Sequence, residues 1–408
     1  MALDLERTAK QLDAMMSGLN NFSSAHTDRL AEAVRVLKEF QREVFLKKTD
    51  SSSAVFQWTP PVFPEKPSKS IEEPSLPTSY AVIGVDGSHI DVNRHIPVDC
   101  FLINTGTAHL RYGNKSEAHL SSDPRLFVPP DETVVSDPDN PHKVLQIQGT
   151  ILGAIRSVKE IETLAEALKK SEPGSFEDIP TVGLVDGTLL LLDLLRPGIP
   201  DFVIEAVLVE GFISALNDIK LAAQEKKIVV ASYISLPGSD EIIDGIRLLA
   251  CPYEKSDCLY HCGEVRKGAR PCDNSAEGLL DRDLMSVIVK DGERSELFSS
   301  NFQMARNYYG DNEITFFYLN TGYEMARVEM PSWASLNQQN VDLVHSVVME
   351  QCRKGRGYPT ALMEAHEQAV ISTADRRYFL NLVEEVLENN GIEFTTSQKD
   401  RSKRLRWL

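Results

Sequence analysis

The chain has 408 residues, 42% of them hydrophobic, so it can bury a large core and has room for two or three domains. No run of about 18 apolar residues occurs, and the charged start of the chain lacks a signal-peptide pattern, so we expect neither a membrane span nor secretion. Six cysteines in a chain this long do not form a disulfide framework, which favours a reducing, cytoplasmic setting.

The formal net charge of −17 argues against a generally basic, nucleic-acid-binding surface, because Lys and Arg drive the binding of phosphate groups. Basic residues are nevertheless concentrated late in the chain, at 353–356, 376–377 and 399–406. An acidic body with a basic C-terminal region is compatible with a DNA-binding channel. The alternative is a solvated surface with scattered basic clusters.

Two helices are predicted at the start of the chain, over 3–19 and 26–47. In the second, apolar residues recur at three- and four-residue spacing and indicate a packing face: Leu30, Val34, Leu37, Phe40 and Val44. The Ser- and Pro-rich stretch at 49–77 predicts a linker or an extended strap. The chain is therefore expected to comprise three parts: N-terminal helices and linker (1–78), a main domain (79–395) and a basic tail (396–408).

The main domain is predicted to mix strands and helices. Strands are expected at 80–86, 100–107, 109–112, 181–186, 228–234, 314–319 and 325–330. Helices are expected at 144–170, 202–224, 240–249, 338–353, 359–372 and 373–389. Between them we expect loops at 121–141 and 251–280 and a helix or turn at 189–195. Strands with helices between them and a helical end predict an α/β fold with a mixed sheet.

Two predicted strands each end in Asp-Gly followed by a hydroxyl residue. The run YAVIGVDGS contains Asp86, and the run TVGLVDGT contains Asp186. Buried strands that end in this way can bring two carboxylates to one edge of a sheet, where they can hold a hard divalent cation against a phosphate. Each motif alone is also an ordinary tight turn, since Asp and Gly are common turn residues. Their repetition favours the metal site.

A third carboxylate is expected from the helix between these two strands. The candidates are Glu160, Glu162 and Glu166. On a helical wheel Glu162 lies at the border of the apolar face, towards the sheet, whereas Glu160 and Glu166 turn further outward. Glu162 is therefore the preferred ligand. The alternative is that all three are solvated surface charges.

The string GYPTALMEAH near the C-terminal end places Tyr358 just before a helix that begins at Pro359. His366 then lies two turns into that helix, among small residues. It is either a satisfied core histidine, or a metal ligand or general acid–base group. Tyr358 can orient a substrate, stack on a base, or simply pack against its neighbours.

Together these motifs resemble the NurA nuclease family. The resemblance rests on VDGS, VDGT, the segment RVEMP at 327–331 and GYPTALMEAH, in this order, and it extends over about 79–382. It implies a ribonuclease-H-like fold with a mixed sheet flanked by helices, and manganese- or magnesium-dependent digestion of DNA ends. It also implies a homodimer, with a HerA-type hexameric ATPase as partner in DNA end resection and double-strand break repair.

Carried over to this sequence, the resemblance implies that Asp86, Asp186 and His366 are metal-binding and catalytic residues and that Tyr358 belongs to the catalytic set. With Glu162 as the helix carboxylate, one or two Mn²⁺ or Mg²⁺ ions would activate water and stabilise the leaving oxygen. His366 would complete the metal shell or transfer a proton.

The predicted loop at 251–280 is rich in metal-binding residue types. Four cysteines and a histidine are concentrated there: Cys251, Cys258, Cys262, Cys272 and His261. Zn²⁺ takes four sulfur or nitrogen ligands in a tetrahedron, so the set resembles a structural zinc site, although its spacing is not the paired C-x₂-C form. Free or redox-active thiols are the alternative.

Two other classes of function compete with a nuclease. An actin-like ATPase also uses two Asp-Gly-hydroxyl turns to hold phosphates, but it requires a β-hairpin after each turn and a later Gly-rich segment. The predicted helix or turn at 189–195 and the lack of such a segment in the sequence argue against it. A non-catalytic scaffold that binds a translocase through its N-terminal helices is the second alternative.

Overall fold

The computed structural model describes residues 4–49, 58–91, 98–170 and 179–391. These residues fall into two compact units. The first lies within Met1–Glu73, Ile234–Gln303 and Thr315–Val328, and the second within Pro74–Tyr233, Met304–Ile314 and Glu329–Leu408. The three-part division expected from composition stays a prediction, and the basic tail at 396–408 lies outside the described residues.

Twelve strands and thirteen helices occur in the described residues. The strands are β1 (Ser70–Ile71), β2 (Tyr80–Ile90), β3 (Phe101–Tyr112), β4 (Glu117–Phe127), β5 (Val134–Asp137), β6 (Asn140–Gln146), β7 (Thr181–Asp186), β8 (Ile228–Ile234), β9 (Arg294–Ser295), β10 (Phe298–Ser299), β11 (Ile314–Asn320) and β12 (Met325–Pro331). The helices are α1 (Leu5–Lys38), α2 (Arg42–Thr49), α3 (Thr150–Lys169), α4 (Asp201–Ile204), α5 (Ser214–Glu225), α6 (Glu241–Ala250), α7 (Cys258–Cys262), α8 (Asp281–Ile288), α9 (Gln303–Tyr309), α10 (Ser332–Ser335), α11 (Gln338–Lys354), α12 (Thr360–Ala369) and α13 (Thr373–Asn389). A π-helical stretch, Glu205–Ile213, joins α4 to α5, and 3₁₀ turns occur at Leu192–Leu195, Pro271–Ser275 and Gly310–Asn312.

In the second unit, five strands form the sheet that carries both Asp-Gly motifs. Their order is β8-β7-β2-β3-β4. Strand β3 is antiparallel to its neighbours β2 and β4, whereas β2, β7 and β8 run parallel. Helices α3 and α12 pack against β2 and β3. This arrangement confirms the predicted α/β class with a mixed sheet flanked by helices.

Strand β2 does not end at Asp86, as the sequence predicted. It continues to Ile90, because β3 pairs with it along its whole length. The parallel partner β7 is shorter, and its last pair with β2 joins Val85 to Val185. Asp86 therefore lies inside a strand but at the position where the neighbouring strand stops.

Strands occupy much of the segment at 121–141 that was predicted as a loop. The two short strands expected at 100–107 and 109–112 form one strand, β3. The expected loop at 121–141 contains part of β4, all of β5 and the start of β6. Strand β6 continues to Gln146, so α3 begins at Thr150 instead of 144. Strand β4 is exposed on both faces, so it has no hydrophobic alternation that could identify it from the sequence.

The first unit packs helices α1, α2, α6 and α8 around an apolar core. The two expected N-terminal helices are divided differently, because α1 continues to Lys38. Within the predicted apolar stripe, Leu37 is buried, Leu30, Val34 and Phe40 are partly buried in this core, and Val44 is exposed. The stripe is thus largely a packing face. Among the helices of the described ranges, none is long and apolar enough to cross a membrane.

Candidate active site

Asp86 and Asp186 lie on adjacent parallel strands at equivalent positions. The pair Val85 and Val185 immediately precedes them in register. Equivalent residues of parallel neighbours point to the same face of the sheet, so the two carboxylates lie side by side, as the motif spacing suggested. Gly187 follows with a φ of +89°, a left-handed conformation that glycine adopts without strain, and it turns the chain away from the sheet.

His366 contacts Asp86 directly. Its Nδ1 lies 2.7 Å from Oδ2 of Asp86, whose other oxygen accepts a hydrogen bond from the backbone N–H of Gly87. An ionised carboxylate holds the imidazole proton on the nitrogen that faces it, so Nε2 of His366 is left free to accept a proton or bind a cation. The His366 side chain is 58% exposed, which makes this nitrogen accessible.

Two glycines allow α12 to approach the sheet closely enough for this contact. A Cβ atom added at Gly84 would lie 2.3 Å from the carbonyl oxygen of Ala361, and one at Gly106 would lie 2.1 Å from that of Ala365. Both distances are far inside van der Waals contact. The small residues around His366 are therefore the packing face of α12, while His366 itself points to the carboxylates.

Tyr358 forms a side-chain hydrogen bond with Asp186, as His366 does with Asp86. Burial raises the pKa of Asp186, a hydrogen bond from the Tyr358 side chain lowers it, and the charge of Asp86 raises it further. The Tyr358 ring also packs edge-on against Tyr233, with the ring centroids 5.4 Å apart. Tyr358 is thus fixed by packing while its hydroxyl contacts a carboxylate of the candidate site.

Glu160 is the helix carboxylate that interacts with both aspartates. It is only 3% exposed. Burial raises its pKa to about 8, Arg156 acts in the opposite direction, and the charges of Asp86 and Asp186 raise it further. Arg156 Nε lies 3.1 Å from Glu160 Oε1, but the two atoms are not aligned for a hydrogen bond, and neither has another hydrogen-bond partner among the described residues.

The expectation that Glu160 turns outward on α3 was wrong. Glu162, the preferred candidate, is partly exposed and pairs with Lys159 one turn earlier. Glu166 is exposed and pairs with Lys170. A helical wheel locates the apolar stripe but does not show that the sheet edge leaves room for a charged group beside it. The metal-binding role of Glu162 stays a prediction that the burial of Glu160 argues against.

Two polar side chains near the site hydrogen-bond to the C-terminal end of α12. The Ser88 hydroxyl, two residues after Asp86, donates to the carbonyl oxygen of Ala369 at the end of α12. The Asn104 amide donates to the same oxygen at 2.9 Å. Ser88, the hydroxyl residue of the first Asp-Gly motif, therefore holds the end of α12 against strand β2. Arg156 was missed by the sequence analysis, although its spacing of four residues before Glu160 was a usable signal.

The donor set suits a hard divalent cation. Three carboxylates and an imidazole nitrogen are ligands that Mn²⁺ and Mg²⁺ accept, and a buried Glu160 oxygen without an aligned hydrogen-bond partner is suited to a cation. In the described residues no three His, Cys, Asp or Glu side chains are already grouped around one ion position. The residues that fit the ion are Asp86, Glu160, Asp186 and His366.

The structure of the cysteine-rich loop at 251–280 does not support the predicted zinc site. The four cysteines and His261 line one cavity of about 20 Å³ and the thiols are free. Within the parts of the chain that are described, however, no three of these side chains are grouped to hold one ion. The His261 ring instead stacks on Tyr253, with centroids 3.8 Å apart.

A profile of the NurA domain matches residues 80–371, more than half of the chain. The solved structure described as NurA with manganese has 13% sequence identity and a TM-score of 0.35, with 91% of this chain and 98% of that chain covered. A search of curated proteins returned no match.

Two further solved structures are less similar. The native prototype foamy virus protease-reverse transcriptase has 14% identity and a TM-score of 0.20, covering 44% of this chain and 19% of that chain. LC9-RNase H1, a type 1 RNase H with the type 2 active-site motif, has 10% identity and a TM-score of 0.21, covering 41% and 69%. The family assignment therefore rests on the domain match.

The mixed sheet and its paired aspartates define an α/β protein with a carboxylate site at one position of the sheet. Within that class, the NurA domain match at residues 80–371 is decisive. The chain belongs to the NurA family, which is a family of nucleases. This assignment favours a nuclease over the actin-like ATPase and the non-catalytic scaffold.

Proposed function

We propose that the protein is a deoxyribonuclease that uses Mn²⁺ or Mg²⁺ to hydrolyse phosphodiester bonds at DNA ends. The observation that carries this proposal is the pairing of Asp86 and Asp186, with His366 on one and the buried Glu160 beside both. A carboxyl whose pKa is raised by burial, and further by two neighbouring carboxylates, is stabilised in its ionised form by a bound cation, because the cation offsets the repulsion among the three charges.

The chemistry divides among residues of this chain. A bound divalent ion supplies Lewis acidity at the scissile phosphate and lowers the pKa of water. Asp86, Glu160 and Asp186 neutralise its charge and fix its position. Because Asp86 faces Nδ1 of His366, the free Nε2 can accept the proton of the attacking water. The Tyr358 hydroxyl keeps Asp186 oriented.

The test is digestion of linear DNA, labelled at its 5′ or 3′ end, by the full chain. We expect digestion with Mn²⁺ or Mg²⁺, no digestion after chelation, and no requirement for ATP. Asp86→Asn and Asp186→Asn should each leave less than about 1% of the wild-type rate, since even supporting groups of a metal site cost about 10–100-fold. Asp193→Asn is the matched control, because Asp193 is exposed and pairs with Arg196.

The outcomes separate the competing functions. Metal-dependent loss of DNA without ATP supports the nuclease, and ATP hydrolysis without loss of DNA supports the actin-like alternative. A scaffold would show neither activity. Near-normal digestion by either aspartate variant, with the protein folded, would remove these residues from the catalytic set.

The proposal includes partners. We propose that the protein acts as a homodimer, in the cytoplasm, with a HerA-type hexameric ATPase in DNA end resection and double-strand break repair. Helix α13 supports the dimer, because it exposes an apolar stripe at four-residue spacing: Tyr378, Leu382 and Val386. Light scattering of the protein alone, and then with such an ATPase, tests both associations.

A further inference from the structure

Strand β7 ends in Asp186, and the chain then turns at Gly187 into a short loop. This loop is held by buried polar groups. Glu329, at the end of β12, accepts hydrogen bonds at 2.8 Å from the Thr188 hydroxyl and from the backbone N–H of Leu189, both at the same oxygen, Oε2. Glu329 is 1% exposed and Leu189 is fully buried.

A second buried group holds the other side of the loop. The Tyr309 hydroxyl donates to the carbonyl oxygen of Leu189 and accepts from the backbone N–H of Leu191, each at 2.9 Å. Burial raises the pKa of Tyr309, the Leu191 hydrogen bond opposes this, and the charge of Glu329 raises it again, so the phenol stays a donor. The Thr188 hydroxyl also accepts from the N–H of Leu190 at 3.0 Å.

We propose that Glu329 is a positioning residue for Asp186. By fixing the loop that follows Gly187, its carboxylate sets the direction in which Asp186 leaves the sheet and so the position of the Asp186 carboxylate beside Asp86. This role rests on the proposed function, in which Asp186 binds the divalent ion. It also gives the RVEMP segment a physical role, since Glu329 is its only carboxylate.

The Thr188 hydroxyl and the backbone N–H of Leu189 share one acceptor, the Glu329 carboxylate. Loss of Glu329 would leave the Thr188 hydroxyl and the buried N–H of Leu189 without their acceptor, which is unfavourable above all for the buried N–H. The loop would then shift to recover hydrogen bonds, and Asp186 would shift with it. A Gln at this position keeps one acceptor oxygen, and that oxygen can serve both donors.

The test measures Mn²⁺ binding directly, by electron paramagnetic resonance of the free ion, in full-length protein without DNA. Glu329→Ala should weaken Mn²⁺ binding about 10–100-fold, the usual effect of losing a group that orients a metal ligand. Glu329→Gln should stay within about threefold of wild type. Circular dichroism and thermal unfolding report whether each variant is folded.

Glu324→Ala is the matched control. Glu324 also accepts hydrogen bonds from a hydroxyl and the next backbone N–H, those of Ser235 and Leu236, at 2.6 and 3.1 Å. It belongs to the first unit, so its loss should destabilise that loop without changing Mn²⁺ binding. Wild-type Mn²⁺ affinity in folded Glu329→Ala, or equal weakening in Glu324→Ala, would overturn the proposal.

Thr188→Val provides a second variant in case Glu329→Ala does not fold. It removes one of the two donors to Glu329 at nearly constant volume, and Thr188→Ser restores the hydroxyl. We expect several-fold weaker Mn²⁺ binding in Thr188→Val and recovery in Thr188→Ser; unchanged binding in Thr188→Val overturns the inference. If wild type neither binds Mn²⁺ nor cleaves DNA, the proposed function itself fails, whereas intact wild-type activity with unaffected variants rejects only the role of Glu329.

Discussion

The protonation state of Glu160 depends on its burial and on the charged residues around it at the candidate site. Burial and two adjacent carboxylates raise its pKa to about 8, so without a cation the group is largely protonated at neutral pH. A bound divalent ion lowers the pKa of Glu160, because its positive charge stabilises the ionised carboxylate. Glu160 is therefore where metal binding and protonation compete most directly.

Substitutions along α3 test this assignment. Glu160→Gln keeps the size of the side chain but removes the charge, and we expect nuclease activity to fall at least about 10–100-fold. Glu162→Gln and Glu166→Gln are matched controls on the same helix, because both residues form surface pairs with lysines. They should retain activity within about twofold. A large loss in Glu162→Gln with an active Glu160→Gln would restore the choice made from the sequence.

The residue types of the site could be predicted from the sequence, but its glutamate could not. Asp86, Asp186 and His366 are marked by strand ends and by an unusual string of residues, and the structure brings them together. Glu160 and Glu162 differ by only two positions on a helix. The side chain that reaches the carboxylates depends on where the sheet edge lies beside the helix, and that is a property of tertiary packing.

At the level of secondary structure, the site depends on how closely α12 packs on β2 and β3. His366 reaches Asp86 only because Gly84 and Gly106 carry no side chain beneath the helix. The sequence predicted α12 from its periodicity and its proline start, and the helix is present. It did not predict this close approach, because a glycine inside a strand can have several causes.

Gly106→Ala tests this packing. A Cβ atom there would lie 2.1 Å from a backbone oxygen of α12, so the helix must move. We expect a loss of stability of about 1–3 kcal/mol, typical of overpacking, together with a fall in nuclease activity as His366 leaves Asp86. Thermal unfolding and DNA digestion measure the two effects.

Gly153→Ala is the control for this prediction. Gly153 lies in α3 with nothing within 4 Å of an added Cβ, so alanine should be neutral or stabilising by up to about 1 kcal/mol. An active, fully stable Gly106→Ala protein would show that α12 can move without consequence for the site.

At the level of the whole molecule, buried carboxyl groups make stability depend on pH in an unusual direction. Burial raises the pKa of Asp281 to about 8 and that of Asp244 to about 7, in addition to the value of about 8 for Glu160. The ordinary values are 3.8 for Asp and 4.5 for Glu. The folded state therefore retains protons that the unfolded chain has released.

The direction of this pH dependence follows from the linkage between proton binding and folding. A carboxyl with a raised folded pKa contributes stability that is complete below its unfolded pKa and is lost as pH rises through its folded pKa. We therefore expect the melting temperature of the protein in chelator to fall between about pH 5 and pH 9. Addition of Mn²⁺ should reduce this fall through Glu160 and Asp186, whose pKa is also raised, and not through Asp244 or Asp281, which belong to the other compact unit.

Asp281→Asn isolates one contribution to this slope. Asp281 is fully buried and accepts hydrogen bonds from the backbone N–H of Ile243 and from the Tyr318 hydroxyl, each at 2.9 Å. Asparagine keeps an acceptor but cannot ionise, so the melting temperature of the variant should decline less steeply above pH 7 than that of wild type. Asp131→Asn, at an exposed carboxyl, should keep the wild-type slope. Parallel curves for wild type and Asp281→Asn would show that Asp281 is ionised in the folded protein throughout this range.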